Sequence, residues 1–291
     1  MKHLIYLLTV ICLVACSSPV ELEQQSYEPQ VVVDGFIESG GYATLYLTWS
    51  SPFLTSYDSA SIRRSFITSA SVFLSNSKGE TEALTLFRSN NFFPPYVYKS
   101  TEMKGEAGET YSITIRYDGK IITATTTIPA SPSVGILSMN AVSDTSGNLK
   151  LSVLPRSSTE TWLFIQVKSA LAKEQYHPIL TPVVKLKPEE GLHTIPIHRV
   201  AESNVHHLDT IKRFYTSWPR YEYSLDDVIT LKYGTVDFDS YQLLKSIFAD
   251  QAIQSNPFAI NSVGIRSNIN GGIGRWTGIG LAPTLVYDGA N

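Results

Sequence analysis

Residues 109–128 read Glu109-Thr110-Tyr111-Ser112-Ile113-Thr114-Ile115-Arg116-Tyr117, then Asp118-Gly119, then Lys120-Ile121-Ile122-Thr123-Ala124-Thr125-Thr126-Thr127-Ile128. In the first arm Tyr111, Ile113, Ile115 and Tyr117 recur at every second position, so an extended backbone turns all four to one face. Isoleucine, threonine and tyrosine dominate both arms, and these residues suit a pleated, half-buried surface. Asp118-Gly119 is a dipeptide that accepts the positive φ of a tight two-residue turn. The stretch predicts an antiparallel hairpin.

Working outward, the corner between Gly105 and Gly108 runs straight into Tyr111, which resembles the tyrosine corner that closes immunoglobulin-like sandwiches. Upstream, Val31, Val33 and Gly35 alternate with Val32, Asp34 and Phe36, and residues 43–49 follow a Gly40-Gly41 turn in the same style. Residues 67–75 and 82–87 continue the pattern around Asn76-Ser77-Lys78-Gly79, a turn composition. Pro129 and Pro132, with serines around them, stop it and mark a boundary. Beyond, residues 149–153, 162–167, 183–186 and 228–233 read as short strands. One helix is expected near 239–254, where Asp239 or Ser240 can cap it and Tyr241, Leu244, Ile247, Phe248 and Ala252 recur three or four apart, with Asn256-Pro257 as its stop. The expected fold is mainly β: two immunoglobulin-like antiparallel β-sandwich domains, over residues 29–130 and 131–291, with one helix inserted in the second.

The 291 residues are 43% hydrophobic, 11% aromatic and 17% charged, which excludes disorder as the main state. With 23 Lys plus Arg against 26 Asp plus Glu and no block of like charge, a nucleic-acid partner has no electrostatic footprint.

The N-terminus carries its own information. Met1-Lys2-His3 is short and basic, and residues 4–15 are apolar apart from Thr9, too short a run to span a bilayer as a helix. Residues 1–15 therefore read as a secretory signal. Its end, Leu13-Val14-Ala15-Cys16, resembles the lipobox of bacterial lipoproteins, which implies acylation of Cys16 and membrane attachment through more than one chain. Cys12 falls inside the signal and Cys16 is the anchor, so no disulfide is expected. Residues 16–28 are polar and read as a lipidated tether.

Candidate chemistry is sparse. His206, His207 and Asp209 lie close in sequence, but adjacent side chains in an extended chain point to opposite faces, so a solvated loop is the better reading than a metal site. Asp237 and Asp239 lack the glycine and distal glutamate of a helix-loop-helix calcium site. No Gly-x-Ser-x-Gly, His-Glu-x-x-His or phosphate-loop motif is present, and Gly272, Gly274 and Gly278 miss the dinucleotide spacing. No catalytic residue, metal or cofactor is assigned. Two aromatic runs remain as contact candidates, residues 92–98 and 214–223, because rigid rings supply contact area and stack on sugars.

The last third carries a resemblance. Asp239-Ser240-Tyr241-Gln242-Leu243-Leu244, Asn256-Pro257-Phe258-Ala259 and Ser267-Asn268-Ile269-Asn270-Gly271-Gly272-Ile273-Gly274 are similar to the end of a Bacteroidetes outer-membrane lipoprotein family known as domain of unknown function 4249. In the front half Val33-Asp34-Gly35-Phe36-Ile37, Ser50-Ser51-Pro52-Phe53 and Gly108-Glu109-Thr110-Tyr111 resemble its pattern. Where the family often ends Gly-Gly-x-Gly-x-Phe-Gly, this chain has Gly271-Gly272-Ile273-Gly274-Arg275-Trp276-Thr277-Gly278. The resemblance implies a lipid-anchored outer-membrane protein that serves as a non-enzymatic accessory of a TonB-dependent nutrient transporter; Glu21 and Glu23 soon after the cysteine favour the cell surface, with the periplasmic face as the alternative. A surface glycan-binding or adhesive module is the alternative. Trp218, Tyr221 and Tyr223, near the expected helix, are the candidate contacts for such a partner.

Overall fold

The computed structural model describes residues 27–51, 58–89, 93–156, 159–173, 175–198, 222–254 and 266–289. The first half supplies β1 (Val31–Glu38), β2 (Tyr42–Trp49), β3 (Ser71–Asn76), β4 (Thr81–Ala83), β5 (Thr85–Arg88), β6 (Tyr96–Lys104), β7 (Thr110–Tyr117) and β8 (Lys120–Thr127), with a short helix α1 (Ser59–Arg64) after β2. The second half supplies β9 (Ile136–Ala141), β10 (Ser146–Val153), β11 (Thr161–Ser169), β12 (His177–Leu186), β13 (His193–Pro196), β14 (Tyr223–Ser224), β15 (Val228–Val236), helix α2 (Phe238–Gln254), β16 (Ile273–Leu281) and β17 (Leu285–Asp288). The architecture is mainly β, built of stacked and mostly antiparallel sheets.

The hairpin forms as its sequence dictates. Tyr117 pairs with Lys120 across the turn, and Asp118 and Gly119 take φ of 50° and 71°, the left-handed geometry of a type I′ turn. Tyr111 closes the corner before it: its hydroxyl donates to the Lys104 carbonyl at 3.1 Å and accepts from Glu106 N–H at 2.9 Å. The second half holds a related tie, in which the Tyr233 hydroxyl accepts from Gly135 N–H at 2.7 Å and donates to the Ser133 carbonyl at 3.0 Å.

One nine-stranded sheet runs in the order β12-β11-β15-β16-β1-β2-β6-β5, with β17 also paired to β15. Two smaller sheets, β4-β3-β7-β8 and β9-β10-β13 with β14, cover one face of it. Under the first lies a core that includes Val33, Leu45, Ile113 and Trp276, and under the second a core that includes Leu151, Ile165, Leu231 and Tyr233. Paired residues across a ladder share a face, so Ile165, Tyr233, Trp276 and Gly35 all point to the same side of the large sheet. The opposite side carries Phe164, Val236 and Ile279, which Leu243 and Leu244 of α2 cover.

Several expectations change. The 131–291 segment does not keep to its own core, because β16 pairs in parallel with β1, Val32 opposite Ile273 through Glu38 opposite Ile279, and puts Trp276 and Ile269 into the first core. Helix α2 begins one residue earlier than read, and its cap is Asp237, whose Oδ1 accepts from Ser240 N–H at 2.6 Å, rather than Asp239 or Ser240. Asn256-Pro257 lies outside the described residues. The unexpected α1 is started by a capping box, Asp58 with Ser61, in a stretch too short and serine-rich to show a helical period.

Candidate functional site

Between the two small sheets the chain passes from β8 to β9, beneath β16. Glycines make room for this crossing: a Cβ on Gly280 would lie 2.0 Å from the Pro129 carbonyl oxygen. The Thr235 hydroxyl donates to the Ala130 carbonyl, and Gly278 N–H donates to Thr126 Oγ1 at 2.8 Å, fixing the crossing strand in place.

Beside the crossing opens a cleft of about 570 Å³, walled by residues 129–132, by the β10–β11 connection through Arg156 and Glu160, and by Trp162 and Asp237. The size is that of a small-molecule site. Trp162 is half-exposed and held from the helix side by Phe238 and Tyr241, with ring centroids 5.2 Å and 6.2 Å away. One guanidinium N–H of Arg156 donates to the Ser131 carbonyl at 2.9 Å, and Lys185 pairs with Glu160 at 2.5 Å. Among the described residues the lining has no histidine or cysteine. The wall combines the Trp162 ring and Pro129 and Pro132 with the polar side chains of Arg156, Glu160 and Asp237.

A second cleft of about 480 Å³ lies on the helix side of the large sheet, where Val32, Ile247, Phe248 and Ile273 meet Asp34 and Arg275. Arg275 Nε donates to Asp34 Oδ1. Burial pushes the neighbouring Tyr46 phenol up from its ordinary pKa, Asp34 adds to that and Arg275 opposes it. Ser169 and Asp227, buried and bonded at 2.5 Å, form a clamp rather than a reactive pair: Asp227 Oδ1 also accepts Leu171 N–H, and the serine oxygen accepts Ala172 N–H. Among the described residues no three His, Cys, Asp or Glu side chains group as a metal site.

The residues singled out from sequence fare unequally. Cys16, Trp218, Tyr221, His206, His207, Asp209 and Phe92 lie outside the described residues. Tyr223 is a correction: only 1% exposed, it packs in the second core beside Leu149 and Tyr233, and its ring is not at the surface to meet a partner. In the 92–98 run Phe93 is 63% exposed, with its ring 5.8 Å from Phe66, whereas Tyr98 is buried and donates to the Ile67 carbonyl at 3.2 Å. In sequence Trp162 is one more strand residue, and nothing local singles out Arg156 or Glu160 beyond a polar connection leading into a tryptophan.

Fold and clefts together define a mainly β protein of the stacked-sheet type with one recess beside the β8–β9 crossing and one on the helix side of the large sheet. The chain belongs to the family described as Domain of unknown function (DUF4249), whose model matches residues 17–279. No curated protein matches the chain. Among solved structures it is similar to a DUF4785 family protein from Legionella pneumophila, at 13% identity and a TM-score of 0.21, over 71% of this chain and 51% of that one. The chain thus spans about half the length of the Legionella protein. It is also similar to bovine butyrophilin, at 11% identity and a TM-score of 0.18, over 71% of this chain and 92% of that one.

Proposed function

We propose that this chain is a lipid-anchored outer-membrane protein of a Bacteroidetes-type cell, held through Cys16 and displayed at the surface as a non-enzymatic accessory of a TonB-dependent nutrient transporter. The observation that carries the reading is positional: the family match begins at residue 17, directly after the cysteine that ends the lipobox-like Leu13-Val14-Ala15-Cys16. No helix among the described residues is long and apolar enough to cross a membrane; in this proposal the acylated cysteine supplies the attachment. Metabolic labelling with a radioactive fatty acid tests it. The wild-type chain should take up label and sediment with outer membranes, and Cys16→Ala should do neither; label in the variant would misplace the anchor. Co-purification of a transporter after mild detergent extraction tests the accessory role, and its absence would remove that role while leaving the anchor intact.

A second reading, a surface glycan-binding module, draws on the 570 Å³ cleft. A half-exposed tryptophan offers a stacking face for a sugar ring, and Arg156, Glu160 and Asp237 offer paired donors and acceptors for adjacent hydroxyls. Titration calorimetry with neutral hexasaccharides, malto-, xylo-, cello- and manno-, decides it. Saturable heat that Trp162→Ala abolishes supports the module; no heat from any of the four removes it.

A further inference from the structure

One end of the first half gathers parts distant in sequence. Val31 pairs with Trp49, Thr48 bridges to Phe66, and Trp49 N–H donates to the Ser65 carbonyl at 2.8 Å, just past α1. The Phe66 ring meets Phe93 and Tyr96, and Tyr96 pairs with Arg88. Tyr117, the last residue before the Asp118-Gly119 turn, packs against Trp49 with ring centroids 5.7 Å apart. The start of β1, the ends of β2, α1 and β5, the residues leading into β6 and the β7–β8 tip therefore share one end. Gln30, to which the tether joins covalently, belongs there too: its N–H donates to Ser50 Oγ at 2.8 Å and its carbonyl accepts Ser50 N–H at 2.9 Å.

The chemistry of this end is distinctive. Arg63 and Arg64 close α1, and with Arg88, Arg116 and Lys120 they make five exposed cations. The acids beside them are Asp58 and Asp118, with Glu28 two residues before Gln30 in sequence, and Asp58 is engaged as the cap of α1. The end is thus net positive in a chain whose net charge is -3. None of the five cations is in an ion pair, whereas Lys78, Lys185, Lys187, Lys232 and Arg275 each hold a carboxylate. Two large apolar side chains stand out among them, Phe93 at 63% and Ile121 at 64% exposed, the latter opposite Arg116 in the ladder.

We propose that this end is a lipid-seating face, on which the cations bind anionic headgroups while Phe93 and Ile121 enter the interface between them. Cations around exposed apolar residues are the composition of a surface that lies on a bilayer, the apolar groups entering the headgroup boundary and the charges staying at it. Attachment selects a bilayer over a free partner. Fully extended, the chain from Cys16 to Gln30 reaches at most about 50 Å, so the acylated cysteine keeps this end at high effective concentration near headgroups, where weak contacts suffice. The face rests on the reading above only for the presence of a membrane.

The chain from residue 16 onward carrying Cys16→Ser cannot be acylated, so it tests the face alone. It should co-sediment with vesicles of phosphatidylethanolamine containing about one-third phosphatidylglycerol, on the order of tenfold more tightly than with phosphatidylcholine, and release in about 0.5 M salt. Arg63→Ala, Arg64→Ala, Arg88→Ala should weaken binding on the order of a hundredfold, about fivefold per arginine, with an unchanged melting temperature. The same three positions changed to lysine should retain it. Orientation is read by a polarity-sensitive dye on single cysteines: Ile121→Cys should brighten on the vesicles, and Leu192→Cys, exposed in the second half, should not. No binding to anionic vesicles, binding that the alanine variant leaves unaltered, or equal brightening at both positions overturns the proposal. Binding to dextran sulfate with none to vesicles overturns it as well and assigns the cations to an acidic polymer. These failures leave the acyl anchor untouched, which fatty-acid labelling of Cys16 decides separately.

Discussion

Trp276 has no exposed surface, and its position explains two neighbours. Its Nε1 donates to the Tyr111 carbonyl at 3.0 Å, its backbone exchanges bonds with the Asn268 side chain at 2.9 Å and 2.7 Å, and its ring fills the place a side chain would take on β1. A Cβ on Gly35 would lie 2.8 Å from Trp276 Cε3 and 3.0 Å from Leu45 Cδ1. Gly35→Ala should therefore destabilise by about 1–3 kcal/mol, the range for overpacking a filled core. Urea unfolding would show the midpoint falling with the slope unchanged; an unaltered midpoint would mean the ring has room to move. Thr277, next along β16, faces the other way. Its Oγ1 is buried and has no hydrogen-bond partner among the described residues, and burying an unpaired hydroxyl is costly. The near-isosteric Thr277→Val should stabilise by about 1 kcal/mol in the same assay. A loss of stability would reveal a partner for that hydroxyl.

Elements differ in how firmly their surroundings fix them. The Asp118-Gly119 tip is set by turn chemistry alone: nothing lies within 4 Å of a Cβ built on Gly119, and the ladder is complete back to Tyr117 and Lys120. Inserting Gly-Ser between Asp118 and Gly119 should leave a cooperative thermal transition and cost no more than about 2 kcal/mol, since lengthening a closed loop is entropically cheap. Loss of cooperative melting would show that the tip packs. Helix α2 stands at the other extreme. Its place depends on Leu243 and Leu244 against Phe164, Val236 and Ile279, residues contributed by three separate strands.

At the scale of the molecule, β16 is the strand that joins the halves. It pairs with β1 over seven positions and with β15 at Gly234 and Thr235, and Lys232 reaches Glu38 at 2.6 Å across the same junction. All these strands belong to one compact unit. Unfolding should accordingly be a single transition, coincident by tryptophan fluorescence and far-UV circular dichroism. A fragment of residues 27–130, which lacks β16 and hence Trp276, should not melt cooperatively. Two separated transitions in the whole chain, or a fragment that melts cooperatively, would show that each half folds alone.

What the sequence determined by itself is local. The period of two in residues 110–117, the Asp118-Gly119 turn, the tyrosine corner at Tyr111 and the apolar spacing of α2 were legible because each is written in residues within a few positions of one another. Tertiary structure alone decided that β16 lies beside β1, 241 residues apart at Arg275 and Asp34. Strand pairing runs through backbone groups common to every residue, and no side-chain pattern names the partner strand. The clefts were hidden for the same reason. Arg156, Trp162, Asp237 and residues 129–132 come together only when the β8–β9 connection passes beneath β16.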